Sequence, residues 1–265
     1  MAQTCWSVNE EEYFEAPGAS VLAFHSFYPE GKQGGVEIIH HGERVATCGD
    51  MRLTVAPGQW GDLPKVGQRR ANPETAEVEV PLSYPKLDLN YTIRLRAEGD
   101  SLRLSLDLEE PLDPTRVAEG CLQMELFPPA YFGKTFHLGN CCGVFPRQAN
   151  GPMVTGPGGA LRPVPLATGS RLVVAAEDPI RLMTIEQVSG EMELLDGRNT
   201  SNNGWFVLRS AVPAGATERA VEWVITPHRV PGWRRPPVIC ISQVGYHPGQ
   251  LKRAVIELDR WDGLE

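Results

Sequence analysis

The chain lacks most features that mark the easily recognised function classes. No apolar run approaches the roughly 20 residues needed to cross a bilayer, and the polar start Met1, Ala2, Gln3, Thr4 has no apolar centre of the kind a secretory signal carries. The formal charge of −8 is spread without long blocks of one sign. No basic surface is therefore offered to a phosphate backbone or anionic lipid, and neither nucleic acid nor a membrane is expected as a partner. No Cys-x-x-Cys pair with matching histidines occurs, which leaves a structural zinc site without support. The six cysteines are scattered apart from Cys141 and Cys142. Adjacent cysteines bridge each other only with strain, so mostly free thiols are expected. His40 and His41 are adjacent on a strand pattern, where alternation would point them to opposite faces and disfavour joint metal ligation. No internal repeat and no convincing amphipathic helix is found.

What the chain does contain is turn chemistry and alternation. Its 265 residues include 27 Gly and 23 Pro, with 42% apolar and 22% charged residues, a globular composition suited to many short strands. Residues 35–57 read as a meander: Val36 to Ile39, a turn at His41 to Glu43, Arg44 to Thr47, a turn at Cys48 to Asp50, then Met51 to Val55. Strands follow over residues 77–82 and 90–97, a hairpin turn at Glu98, Gly99 and Asp100, and a return over 101–108. There Leu102, Leu104, Leu106 and Leu108 share one face, so one side is buried and the other wet. Further strands are expected over 122–127, 171–175, 182–187, 191–195, 205–210 and 221–226. The fold class is therefore all-β, a large antiparallel β-sandwich.

Two segments break the pattern. Residues 150–165 carry too many Gly and Pro for anything but an extended connection. Residues 227–237 hold four prolines, which fix φ and remove amide donors, so this stretch is expected to be a stiff tether at a domain boundary. After it come Val238 to Ile241 and a strand over 252–258 that has no evident partner in the chain.

The run Ser242, Gln243, Val244, Gly245, Tyr246, His247, Pro248, followed by Lys252, Arg253, Ala254, Val255 and Ile256, resembles the opening of the immunoglobulin-like domain that precedes the catalytic barrel in family 9 glycoside hydrolases. Upstream, His41 to Ala46 with Gly49 to Leu53, and later Phe145 to Gln148, resemble an amino-terminal β-supersandwich module found ahead of such enzymes, similar to galactose-mutarotase-like domains. The resemblance implies a supersandwich over residues 1–235 and a linker with the first strand of an immunoglobulin-like domain over 236–265. It also implies a catalytic domain in cis. Family 9 catalytic carboxylates lie on the helical barrel, so none is carried onto this chain.

Sugar-binding modules stack a pyranose face on Trp or Tyr and hydrogen-bond its hydroxyls with Asn, Asp, Arg and Gln. The densest such combination is the loop containing Asp196, Arg198, Asn202 and Asn203, next to Trp205. Trp60 sits in a loop with little apolar company and is a second candidate platform, and Arg147 and Gln148 are candidate polar contacts. Trp223 lies in an apolar strand, and Trp233 in the tether is expected to pack against the sandwich. These residues point to a non-catalytic, carbohydrate-binding module of a polysaccharide-degrading enzyme, taking a polysaccharide or oligosaccharide. One alternative is a sugar-active enzyme using a carboxylate pair such as Glu186 and Glu193, for which hydrolysis asks a separation of about 5–10 Å. Another is a purely structural spacer. No cofactor is expected, with calcium in the loop 196–203 as the one candidate ion. Location would be extracellular or periplasmic for a polymer-acting parent, and cytoplasmic if the missing signal is native.

Overall fold

The computed structural model describes residues 5–27, 34–54, 62–117, 119–156, 159–200 and 204–262. They form two large antiparallel sheets in a sandwich-like arrangement. The first, nine-stranded, runs in the order Ser7–Val8, Phe14–Ala16, Ala19–Ala23, Val36–His40, Glu43–Arg52, Cys121–Leu126, Phe206–Ala211, Met192–Asp196, Ala167–Gly169. The second has ten strands and runs Cys141–Val144, Thr135–Leu138, Arg171–Val174, Met183–Gln187, Val221–Pro227, Ser101–Leu108, Leu89–Glu98, Glu77–Tyr84; Lys65–Val66 and Arg70–Asn72 both pair with the last of these.

Period-two alternation explains which side chains enter the core. In the hairpin joining Leu89–Glu98 to Ser101–Leu108, Glu98 faces Ser101, leaving Gly99 and Asp100 as the turn, with Gly99 at φ 60°. That register stacks Leu104 on Leu95 and Leu106 on Ile93, all fully buried against the first sheet. Each such side chain taken from water contributes roughly 1.5–3 kcal/mol. Trp223 is fully buried in the same layer, its indole N–H donating to Ser210 Oγ across the sandwich at 2.8 Å.

Three sequence expectations change and one gains detail. The turn anticipated at Cys48 to Asp50 is a bulge inside one ten-residue strand, Glu43–Arg52. Cys48 takes φ 54° there, and Gly49 is required because a Cβ would stand 2.6 Å from that of Val36. The segment expected as an extended connection also carries a pairing the sequence did not announce, Met153–Thr155 antiparallel to Leu161–Pro163. His40 and His41 do not diverge, because His41 adopts φ 47° at the end of its strand and brings the two rings to 4.3 Å. Finally, the strand within 252–258 has a partner, since Val255–Glu257 pairs with Val238–Cys240 in a separate two-stranded ribbon.

The proline tether is docked at the His40–His41 turn. His40 Nε2 lies 2.6 Å from the His228 carbonyl, the Val230 N–H donates to His41 Nε2 at 3.2 Å, and Trp233 meets the His41 ring edge-on at 5.0 Å.

Candidate functional site

Alternation along Cys121–Leu126 sends Leu122, Met124 and Leu126 into the core, so Cys121, Gln123 and Glu125 occupy the opposite face of the nine-stranded sheet. An outward face of this kind is ordinarily wet. Here it is not: Gln123 is 3% and Glu125 6% exposed, and Glu37, Thr47 and Arg209 are as deeply buried. The pairing registers set Glu125 beside Thr47 on one side and Val207 on the other, and set Gln123 beside Arg209. A row of polar groups thus crosses four neighbouring strands.

The row is partly self-satisfied. Thr47 Oγ1 lies 2.9 Å from Glu37 Oε1 and 3.1 Å from the Gly34 carbonyl, one hydroxyl proton between two acceptors. Arg44 approaches Glu37 at 3.3 Å. Arg209 donates to the Thr54 carbonyl and to Cys121 Sγ, each at 2.8 Å, and pairs with Glu119 at 3.5 Å. Burial, opposed by Arg209, pushes the Cys121 thiol up to about 11, so it stays protonated and is no nucleophile near neutrality. Gln123 Nε2 donates to Glu125 Oε1 at 3.3 Å, while Gln123 Oε1 is buried with no hydrogen-bond partner among the described residues. A buried amide oxygen left in that state costs about 1–3 kcal/mol, which a hydroxyl donor would offset.

Farther along the strand Glu43–Arg52, past Thr47, its residues tie the two sheets together. Tyr91 donates to Asp50 Oδ1 at 2.9 Å, and Tyr84 to the Met51 carbonyl at 3.0 Å. Burial, reinforced by the Asp50 charge, pushes both phenols well above their ordinary range. Burial opposes the charge on Arg52, but Asp50 outweighs it and holds the guanidinium protonated. This end of the face is a fixed, charged support.

The sequence-selected residues are distributed otherwise. Trp60, Asn202 and Asn203 lie outside the described residues. Arg198 and Asp196 come together, but on each other: Arg198 Nε and Nη2 meet the Asp196 carboxylate at 2.8 and 2.7 Å. The same guanidinium lies 5.0 and 4.5 Å from the Phe132 and Phe206 rings and donates to the Pro146 and Arg147 carbonyls. It is a staple holding residues 146–147 to the loop, and both Asp196 oxygens accept from Arg198. Trp205 is half-buried with its ring 4.1 Å from Phe127. Arg147 and Gln148 are exposed. Glu186 and Glu193 do not form a pair. They belong to different sheets, Glu186 bound to Arg171 at 2.7 Å and Glu193 to Arg162.

Sequence reading missed Glu37, Thr47, Gln123, Glu125 and Arg209, because polar residues alternating with apolar ones are also the mark of a solvent face. The available signal was the coincidence of Gln123, Glu125 and Arg209 in two otherwise strongly apolar strands.

No protein-family model matches the chain, and no curated protein matches it significantly.

Proposed function

We propose that this chain is a non-catalytic, carbohydrate-binding accessory module of a polysaccharide-degrading glycoside hydrolase, taking its ligand on the polar face of the nine-stranded sheet. The observation that carries the reading is the buried row Glu37, Thr47, Gln123, Glu125 and Arg209, with the acceptor Gln123 Oε1 unmatched among the described residues. Carboxylates, an amide and a guanidinium at fixed positions are the groups that read sugar hydroxyls. The similarity of Ser242 to Pro248 to the start of the immunoglobulin-like domain of family 9 enzymes supports the accessory setting, and the antiparallel sandwich is compatible with a galactose-mutarotase-like module.

Titration calorimetry against soluble β-glucan and xyloglucan tests the reading. Binding is expected in the native chain, with affinity about tenfold or more lower in Gln123→Leu through loss of one buried hydrogen-bonding group. Absence of heat across a broad glycan panel would overturn it in favour of a structural spacer.

A second reading, catalysis at the same face, draws on Glu37 and Glu125 flanking Thr47. It requires release of reducing ends from plant polysaccharides and loss of that release in Glu125→Gln.

A further inference from the structure

Beyond the polar face, a groove of about 490 Å³ opens where the C-terminal segment lies against the first strands of the nine-stranded sheet. Its sandwich wall includes Tyr13, Ser20 and Ile39; its other wall includes Trp233, Arg235 and Trp261. The volume lies in the range of small-molecule sites.

The groove is held open by its own construction. The edge-on contact with His41 and the backbone turn from Val230 to Trp233 set the indole of Trp233, whose rim lies beside Gly18 and Gly42, both at φ 80°. At Gly18 a Cβ would stand 3.0 Å from His41 Cδ2, so a larger residue would disturb the seat. Arg260 spans from the C-terminal segment to Glu15 on the sandwich, fixing the separation of the walls. Within the segment, Arg235 pairs with Glu257 at 2.7 Å and its backbone N–H donates to Asp259 at 2.7 Å.

These contacts restrict the ligand. Both arginines of the rim are matched, Arg235 by Glu257 and Arg260 by Glu15, and Asp259 accepts the backbone N–H groups of Arg235 and Trp261, so among the described residues no cation is left over to hold an anionic ligand. What remains is aromatic surface edged by hydrogen-bonding groups, and that combination suits a sugar ring whose axial hydrogens form a flat apolar face and whose equatorial hydroxyls point outward.

We propose that this groove is a second carbohydrate subsite, taking a neutral β-linked pyranose chain against Trp233 and Trp261. The inference rests on the carbohydrate-binding reading above but on different residues. Because both walls contribute, an occupied groove also clamps the C-terminal segment to the sandwich.

The test is calorimetry with cellohexaose on the full chain, comparing the native protein with Trp261→Ala, with Ser20→Trp to fill the groove, and with Gln123→Leu on the polar face. Circular dichroism checks that each variant is folded. Affinity about tenfold lower in Trp261→Ala, the worth of one ring-stacking contact, together with a similar loss in Ser20→Trp, is expected. Native-like binding by both groove variants, with loss only in Gln123→Leu, would overturn the subsite and leave the polar-face reading standing. No binding of cellohexaose or other glycans by the native chain would overturn both.

Discussion

The sandwich and the C-terminal ribbon are built from the same kind of strand and come to opposite ends. Leu102, Leu104 and Leu106 are completely buried, whereas Ile239 and Ile256, paired directly across the ribbon, remain 67% and 62% exposed. Backbone pairing is available to both. What differs is a second layer: the hairpin of residues 89–108 lies under another sheet, while a two-stranded ribbon alone supplies little independent stability. Strand propensity therefore specifies the ladder, and a covering layer makes the ladder a core.

The largest effect expected from this contrast is at Leu104. Leu104→Ala deletes packing against Leu95 and Trp223 in neighbouring strands and is expected to cost about 2–5 kcal/mol. Urea unfolding followed by far-ultraviolet circular dichroism measures it, and a loss below about 1 kcal/mol would mean that the two sheets are not the cooperative unit described.

Next is the Arg198 staple. Arg198→Ala removes the guanidinium between Phe132 and Phe206 and leaves the buried Asp196 carboxylate without its cation. Breaking one side of a buried pair costs about 3–5 kcal/mol, and the partial exposure of this arginine puts the expectation near the lower value. The same unfolding experiment reads it. If Arg198 were instead a ligand contact held in reserve, stability would be unchanged and glycan affinity would fall.

The joint between the two regions supplies a pH dependence. His41 Nδ1 donates to the Ile180 carbonyl at 2.8 Å and Nε2 accepts from Val230, an arrangement that only the neutral ring can make. Burial lowers His41, and lowers His40 to about 4. His41, His228 and Arg181 add repulsion at His40, while Asp178 partly offsets the effect of His228 at His41. With the folded-state value depressed, the unfolded chain binds the extra proton first, so the contribution is complete above about pH 6.5 and lost as pH falls towards about 4. For His40 this is about 3 kcal/mol over that window. Protection of the Val230 amide against hydrogen exchange, taken relative to the intrinsic rate at each pH, should fall between pH 7 and about 4.5, with the fall reduced in His41→Gln. Exchange that follows only the intrinsic pH profile would show that the tether is not held through neutral imidazoles.

Much of this architecture was legible in the sequence because its strands obey a strict period of two. The leucines of 101–108 predict their own burial, and Gly99 marks the hairpin. The polar row was illegible for the same reason: Gln123 and Glu125 occupy the alternate positions that period assigns to water, and their burial depends on what lies above the sheet. Arg198 and Asp196 were found as a cluster, but one-dimensional proximity could not distinguish groups that await a ligand from groups that satisfy one another. The bulge at Cys48 imitates a turn because both use a positive φ beside glycine.

The smallest effect is expected on the ribbon. Ile256 faces Ile239 with both side chains largely in water, so Ile256→Thr keeps β-branching and ladder geometry while removing little buried surface. The change in global stability should stay within about 0.5 kcal/mol, against several for Leu104→Ala. Measured on the full chain in the same denaturant series, the ratio of the two losses gives the contrast between a covered and an uncovered ladder directly. A loss above about 1 kcal/mol at Ile256 would show that the exposed face is covered in solution, and analytical ultracentrifugation of the same sample would then distinguish pairing between copies from closure within one chain.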